Sequence, residues 1–237
     1  MKILLLELLI CLIIGSTLIG IGVHFIPVGG APAALSTSAG IPTGAPMITI
    51  GMGITGILTA ITFVNQPNYL IIIAGAIGSM MMISITMFFS NIMHVYGVGV
   101  PIASSTFEKD PITGFNQTEY VSQGTKGHGI PTVSFLSGVL GAGLGGIGGS
   151  LAFTSIYSEL SASLLDINLV ITITTIMSLM LFFVIAVVAS YNIGGTIQGF
   201  YDKKFKQKIL PGALSCFIVS VVLSLIYALI VWGLINV

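Results

Sequence analysis

Six times along its length the chain runs apolar for about 20 residues, the length an α-helix needs to cross the roughly 30 Å hydrocarbon core of a bilayer. The runs extend from about Ile3 to Val23, Met47 to Val64, Tyr69 to Ser90, Thr132 to Tyr157, Ile167 to Ser190 and Pro211 to Ile235. Asn65, Gln66, Pro67 and Asn68 form a break between the second and third that is short enough only for a hairpin, and Pro211 suits the first turn of the last helix. The expected fold is an all-α integral membrane protein of about six transmembrane helices, forming a single polytopic domain over residues 1–237.

Composition supports that reading and excludes others. Hydrophobic residues make up 55% of the 237 positions and charged residues 6%, far below the quarter found in soluble domains. The seven basic residues are all lysine and the formal net charge is zero, so no nucleic-acid surface and no arginine phosphate clamp is expected. Cys11 and Cys216 both lie deep in apolar runs, where cysteine acts as a small hydrophobe. Lys2 precedes a leucine-rich core, but no small-x-small cleavage site follows within reach of that core, so the first run is expected to be retained as a membrane helix.

Lysines set the orientation. Lys109 and Lys126 fall in the charged loop 104–130, and Lys203, Lys204, Lys206 and Lys208 in the loop 201–210, so these two loops share the cytoplasmic side. Both termini and the acidic connection from Glu159 to Asp166 then face outward, although Lys2 favours the opposite orientation. The sequon Asn116-Gln117-Thr118 would be cytoplasmic and unglycosylated. Three further apolar stretches, His24 to Pro46, Ile92 to Ala103 and Tyr191 to Tyr201, are interrupted by glycine and proline. They read as broken or re-entrant elements, or as loops lying on the headgroups.

Few residues suggest chemistry. Ser137, Gly141, Gly145 and Gly149 recur at four-residue steps and predict a line of small residues where another helix packs closely, not a nucleotide loop. Glu108, Asp110, Glu119, Glu159, Asp166 and Asp202 fall in predicted loops or at helix ends. Only Glu7 sits inside a predicted span, near enough to its start to snorkel. His24, His94 and His128 each stand without a second metal-ligating residue at suitable spacing, so no metal, catalytic or cofactor-binding residue is assigned. The best candidates for an ion or polar pathway are Asn91 and His94 after the third run, with Ser190, Tyr191 and Asn192 after the fifth; sodium, like hard cations generally, takes hydroxyl, amide and carbonyl oxygens, which favours Asn91, Ser190 and Asn192. Helix capping and interhelical hydrogen bonding are the simpler roles for the same residues. His128 and the lysines 203, 204, 206 and 208 are candidates for docking cytoplasmic partners, the lysines alternatively for touching anionic headgroups. Ser79-Met80 with Ser90-Asn91-Ile92 is faintly echoed by Ser178-Leu179-Met180 with Ser190-Tyr191-Asn192-Ile193, as two structural halves would produce.

Several strings carry a resemblance: His24-Phe25-Ile26-Pro27-Val28-Gly29-Gly30-Ala31-Pro32, Tyr96-Gly97-Val98-Gly99-Val100, Asp110-Pro111-Ile112-Thr113-Gly114, Gly127-His128-Gly129, Gly145-Gly146-Ile147-Gly148-Gly149 and Ala189-Ser190-Tyr191-Asn192-Ile193-Gly194-Gly195. Together, in this order and over nearly the whole chain, they resemble the D subunit of the tetrahydromethanopterin S-methyltransferase of methanogenic archaea. The resemblance implies a multisubunit enzyme of the cell membrane. That enzyme moves a methyl group from N5-methyl-tetrahydromethanopterin to coenzyme M through a corrinoid and couples the transfer to sodium export. It also implies that the corrinoid sits on a partner subunit, that the partners are both membrane and cytoplasmic subunits, and that this chain binds no cofactor itself. The alternative is a free-standing transporter or channel, which should carry a midplane binding site in its own chain. A third reading is a scaffold whose polar clusters are dispensable.

Overall fold

A computed structural model describes residues 2–26, 44–93, 96–97, 109, 113–114, 116, 121–122, 125–126, 132–164, 166–193 and 209–236. Six helices account for most of them: α1 (Lys2–Phe25), α2 (Gly44–Thr62), α3 (Asn68–Met93), α4 (Thr132–Ser163), α5 (Ile167–Ile193) and α6 (Ile209–Ile235). The fold is all-α, with a two-residue antiparallel pair, β1 (Val121–Ser122) against β2 (Thr125–Lys126), inside the charged loop. In the same loop Lys109 bridges to Asn116, and Gly114 makes the intervening turn at φ 72°, a conformation that favours glycine.

Five helices are long and apolar enough to cross a membrane; in α2 the apolar stretch within the described residues is the shorter Ile50–Thr62. At 19 residues α2 measures about 28 Å, close to the thickness of the hydrocarbon itself. It turns into α3 through the expected hairpin, where Pro67 O accepts from Leu70 N at 2.8 Å and opens the next helix. The helix α4 runs on past Tyr157 to Ser163, so Glu159 lies inside a helix and an apolar span rather than in a connection. Asp166 then starts α5 by accepting from the backbone N–H of Asn168 at 2.9 Å and of Leu169 at 3.3 Å.

The centre of the bundle is α4, which packs against all five other helices. Its apolar span is 61% buried, against 28% for α6, the most peripheral helix. A helix this glycine-rich has little side-chain surface of its own, so it is buried by letting neighbouring backbones close in. A Cβ on Gly15 would stand 2.7 Å from Gly148 O, and one on Gly22 would stand 2.5 Å from Gly141 O, which fixes α1 and α4 as antiparallel neighbours. On another face of α4, a Cβ on Gly146 would meet Gly75 O at 2.7 Å, and Gly75 faces Gly56 across α2 and α3.

The four-residue series Ser137, Gly141, Gly145 and Gly149 does not face one helix. Steps of four residues in a 3.6-residue helix rotate by about 40° each. The line therefore begins at α1, where Ser137 donates to Phe25 O at 2.7 Å and Gly141 meets Gly22. It ends at α5, where the Phe182 ring covers Gly149.

Candidate functional site

Chain order and antiparallel packing put the C-terminal ends of α1, α3 and α5 and the N-terminal ends of α2, α4 and α6 at one end of the bundle. The three long connections leave from that end. The opposite end carries both termini, the short α2–α3 and α4–α5 turns, and the carboxylates Glu7, Glu159 and Asp166.

Of the predicted pathway residues, Asn91, Ser190, Tyr191 and Asn192 belong to helix turns at the end with the long connections. Asn91 is in the last turn of α3, and Tyr191 and Asn192 are in the last turn of α5. Among the described residues α3 and α5 have no extensive contact, and α2 and α4 each pack against both. Ser190 is buried, and its hydroxyl donates to Ala186 O at 2.6 Å within its own helix. The side chains of Asn91, Tyr191 and Asn192 lie outside the described residues, as do His94, His128, Lys203, Lys204, Lys206 and Lys208 and most of the three broken stretches. Of the expected stretch from His24 to Pro46, His24 and Phe25 still belong to α1 and Gly44 already belongs to α2. His24 is fully buried with Nδ1 2.6 Å from Gly20 O, the geometry of a ring N–H closing the last turn of α1.

Sequence reasoning missed the polar groups in the middle of the bundle. Where α2, α3 and α4 meet, Ser79 donates to Met52 O at 3.0 Å and Ser150 to Gly146 O at 2.7 Å, both fully buried. Where α1, α5 and α6 meet, Ser16, Thr174, Ser178 and Ser224 are equally buried. The echo between the segments beginning at Ser79 and Ser178 thus does not extend to their contacts. The spacing Thr174, Ser178 on α5 and Cys216, Ser220, Ser224 on α6 was the available signal, since four-residue steps keep these groups near one face.

Both cysteines are free, with Cys216 buried against Gly20. Among the described residues no group of three or more His, Cys, Asp or Glu is placed to hold a metal ion. Two shallow grooves open on the outer surface. One, of about 140 Å³, lies between α2 and α5 and is lined by Ile50, Ile54, Leu179, Met180, Phe182 and Phe183. The other, of about 310 Å³, lies between α3 and α4 and includes Met80, Met81 and Ser84. Both are almost wholly apolar, as a surface facing acyl chains or another helix must be.

These features define a multi-pass α-helical membrane protein whose core is a glycine-mediated helix junction. The sequence family of the tetrahydromethanopterin S-methyltransferase D subunit matches residues 5–220. Curated proteins bearing the name of that D subunit are similar along almost their whole length. The protein of Methanothermobacter marburgensis is 47% identical over 219 residues, covering 92% of this chain and 94% of the relative. That of Methanosarcina mazei is 46% identical over 233 residues, 94% and 92% respectively, and that of Methanopyrus kandleri is 43% identical over 224 residues, 94% and 96%. The chain belongs to the family of tetrahydromethanopterin S-methyltransferase D subunits, and is thus a membrane component of a methyltransferase complex of methanogenesis.

Proposed function

We propose that this chain is a non-catalytic membrane subunit of a complex that transfers a methyl group from N5-methyl-tetrahydromethanopterin to coenzyme M and couples the transfer to sodium export. In this reading the corrinoid and the reacting groups belong to partner subunits, and the chain sits in the cell membrane with its lysine-rich end in the cytoplasm and both termini outside. The observation that carries it is the emergence of all three long connections from one end of a bundle locked by backbone-to-backbone glycine contacts. Such a bundle has one end from which every long connection leaves. The loops 104–130 and 201–210, which carry the lysines, connect helices at that end, which supports reading it as the side for cytoplasmic partners. Asn91, His94, Ser190, Tyr191 and Asn192 lie in or just beyond the last turns of α3 and α5 at the same end, where they would contribute neutral donors to a sodium route completed by neighbouring membrane subunits.

The test is mild-detergent purification of the tagged chain from its native membranes, with mass spectrometry of the recovered proteins and an absorption spectrum. Stoichiometric partners with a corrinoid band support the reading. A stable homo-oligomer without corrinoid replaces it with a free-standing transporter. Asn91→Leu with Asn192→Leu then separates pathway from scaffold: a pathway role predicts intact assembly with lost methyl-transfer-driven sodium uptake into vesicles, and a scaffold role predicts retained coupling in whatever complex assembles.

A further inference from the structure

Hydroxyls inside the bundle fall into three sets, of which one, Ser79 and Ser137, donates to another helix. Most turn back on their own helix: Thr175 donates to Ile171 O at 2.6 Å, Ser155 to Leu151 O at 2.7 Å and Ser220 to Cys216 O at 2.6 Å, the ordinary way a membrane helix satisfies serine and threonine. Ser16 on α1, Thr174 and Ser178 on α5 and Ser224 on α6 do not. All four are fully buried, and among the described residues none of their oxygens has a hydrogen-bond partner.

The four converge on one seam. A Cβ on Gly20 would stand 2.6 Å from the Cβ of Cys216 and 3.5 Å from Cγ2 of Ile185, which sets the register of α1, α5 and α6. Counting along each helix from that level at about 1.5 Å per residue, Ser16 and Ser220 lie about 6 Å further toward the terminal end of the bundle, and Ser178 and Ser224 about 10–12 Å. At the far side of the seam Leu8, Leu12, Val170 and Val231 close into one apolar cluster. Thr174 and Ser178 therefore lie on the stripe of α5 running from Val170 to Ile185, and Ser220 and Ser224 on the stripe of α6 running from Cys216 to Val231, both of which face α1. Ser16, Ser178 and Ser224 are each within two residues of the centre of their apolar spans, so all three lie near the bilayer midplane, with Ser16 about 4–6 Å nearer the long-connection end than the other two.

We infer that Ser16, Ser178 and Ser224, flanked by Thr174 and Ser220, form a buried hydration site at the centre of the membrane, which binds one or a few ordered water molecules between α1, α5 and α6. Hydroxyls left without partners in hydrocarbon are costly, and a water with two to four polar partners relieves several of them together. The donor set favours water over a bare cation. The oxygens are neutral, and among the described residues no carboxylate stands at this level to offset a dehydrated charge. The site is separate from the helix-end residues of the proposed sodium route and does not depend on it.

Stability of the intact complex tests the site, because a dry and a hydrated seam respond to truncation with opposite sign. With bound water, Ser178→Ala and Ser224→Ala each remove a hydrogen-bond partner and lower the dissociation temperature of the purified complex, and the Ser16→Ala, Ser178→Ala, Ser224→Ala triple variant lowers it by less than the sum of the singles. In a dry seam the same changes only remove an unpaired hydroxyl, and the temperature rises or stays level, which overturns the inference. The series is measured in sodium, potassium and choline chloride. Shifts independent of the cation agree with water, and a wild-type stability that rises with sodium and is lost in the triple variant replaces water with an ion. If the variants fail to assemble, a high-resolution density map of the wild-type complex decides: a peak within hydrogen-bond distance of two or more of these hydroxyls supports the site, and continuous apolar packing sinks it.

Discussion

Gly15 of α1 and Gly148 of α4 each stand where the other's backbone carbonyl would collide with any Cβ, and seven residues along both helices Gly22 and Gly141 repeat the relationship. Two such pairs fix the separation, the direction and the register of α1 on α4 at once. Lipid chains are as apolar as leucine, so helices in a bilayer gain little from burying hydrophobic surface against each other, and close van der Waals packing of this kind replaces it.

Substituting either member should therefore separate the two helices. Gly148→Val is expected to cost at least about 1–3 kcal/mol through overpacking against backbone that cannot turn aside. The loss is read as a lower dissociation temperature and a smaller recovered fraction of assembled complex. Gly143→Ala on the same helix is the control: its Cβ would meet only Met80, with Sδ at 3.3 Å, a flexible neighbour. That change should be neutral, or stabilising by up to about 1 kcal/mol from helix propensity.

The membrane fold was legible because transmembrane helices announce themselves in one dimension: α1, α3 and α5 run from Lys2, Asn68 and Ile167, each within one residue of where the apolar pattern begins. The packing was less legible. Gly141 and Gly149 look equivalent in a four-residue series, yet one meets α1 and the other Phe182 of α5, because which neighbour a face meets is decided by the arrangement of all six helices. The polar interior was hardest to see. Asn91 and Asn192 stood out as amides and lie at helix ends, whereas Ser16, Ser178 and Ser224 are ordinary serines until three helices bury them near the midplane without partners among the described residues.

The hydrogen bond from Ser137 to Phe25 O, 2.7 Å long, ties the first described turns of α4 to the last turn of α1 at the end with the long connections. Ser137→Ala should cost about 0.6 kcal/mol, the average for interhelical hydrogen bonds in membranes, and no more than about 1.7 kcal/mol. Ser137→Thr, which keeps the donor, should restore part of it. Because the bond sits at one end of the α1–α4 seam, the expected signature is faster amide exchange in the last turn of α1 with the middle of the helix unchanged.

Asp166 holds the tight turn between α4 and α5 by accepting from two backbone N–H groups of the helix it precedes. Asp166→Ala should cost about 0.5–2 kcal/mol, and Asp166→Asn or Asp166→Ser much less, since each retains an oxygen at the cap. The measurement is the melting temperature of the complex across the three variants. A loss in Asp166→Asn as large as that in Asp166→Ala would assign the effect to the charge instead of the cap.

Phe182 is the large side chain that fills the space created by glycines on two other helices. Its ring lies against Gly53 of α2 and Gly149 of α4, with Gly145 beyond its tip, and it is 2% exposed. This one ring joins α2, α4 and α5 at a single point, so truncation leaves a hole that the small residues around it cannot fill. Phe182→Ala should cost about 3–5 kcal/mol, and Phe182→Leu a fraction of that. The complementary change Gly149→Ala would place a methyl group 3.1 Å from the ring, which must shift by a few tenths of an ångström to accept it. Combined with Phe182→Leu, the added methyl occupies part of the vacated volume. The double variant should therefore melt above the value expected from adding the two single effects, and strict additivity would show that Phe182 and Gly149 do not share one packed site.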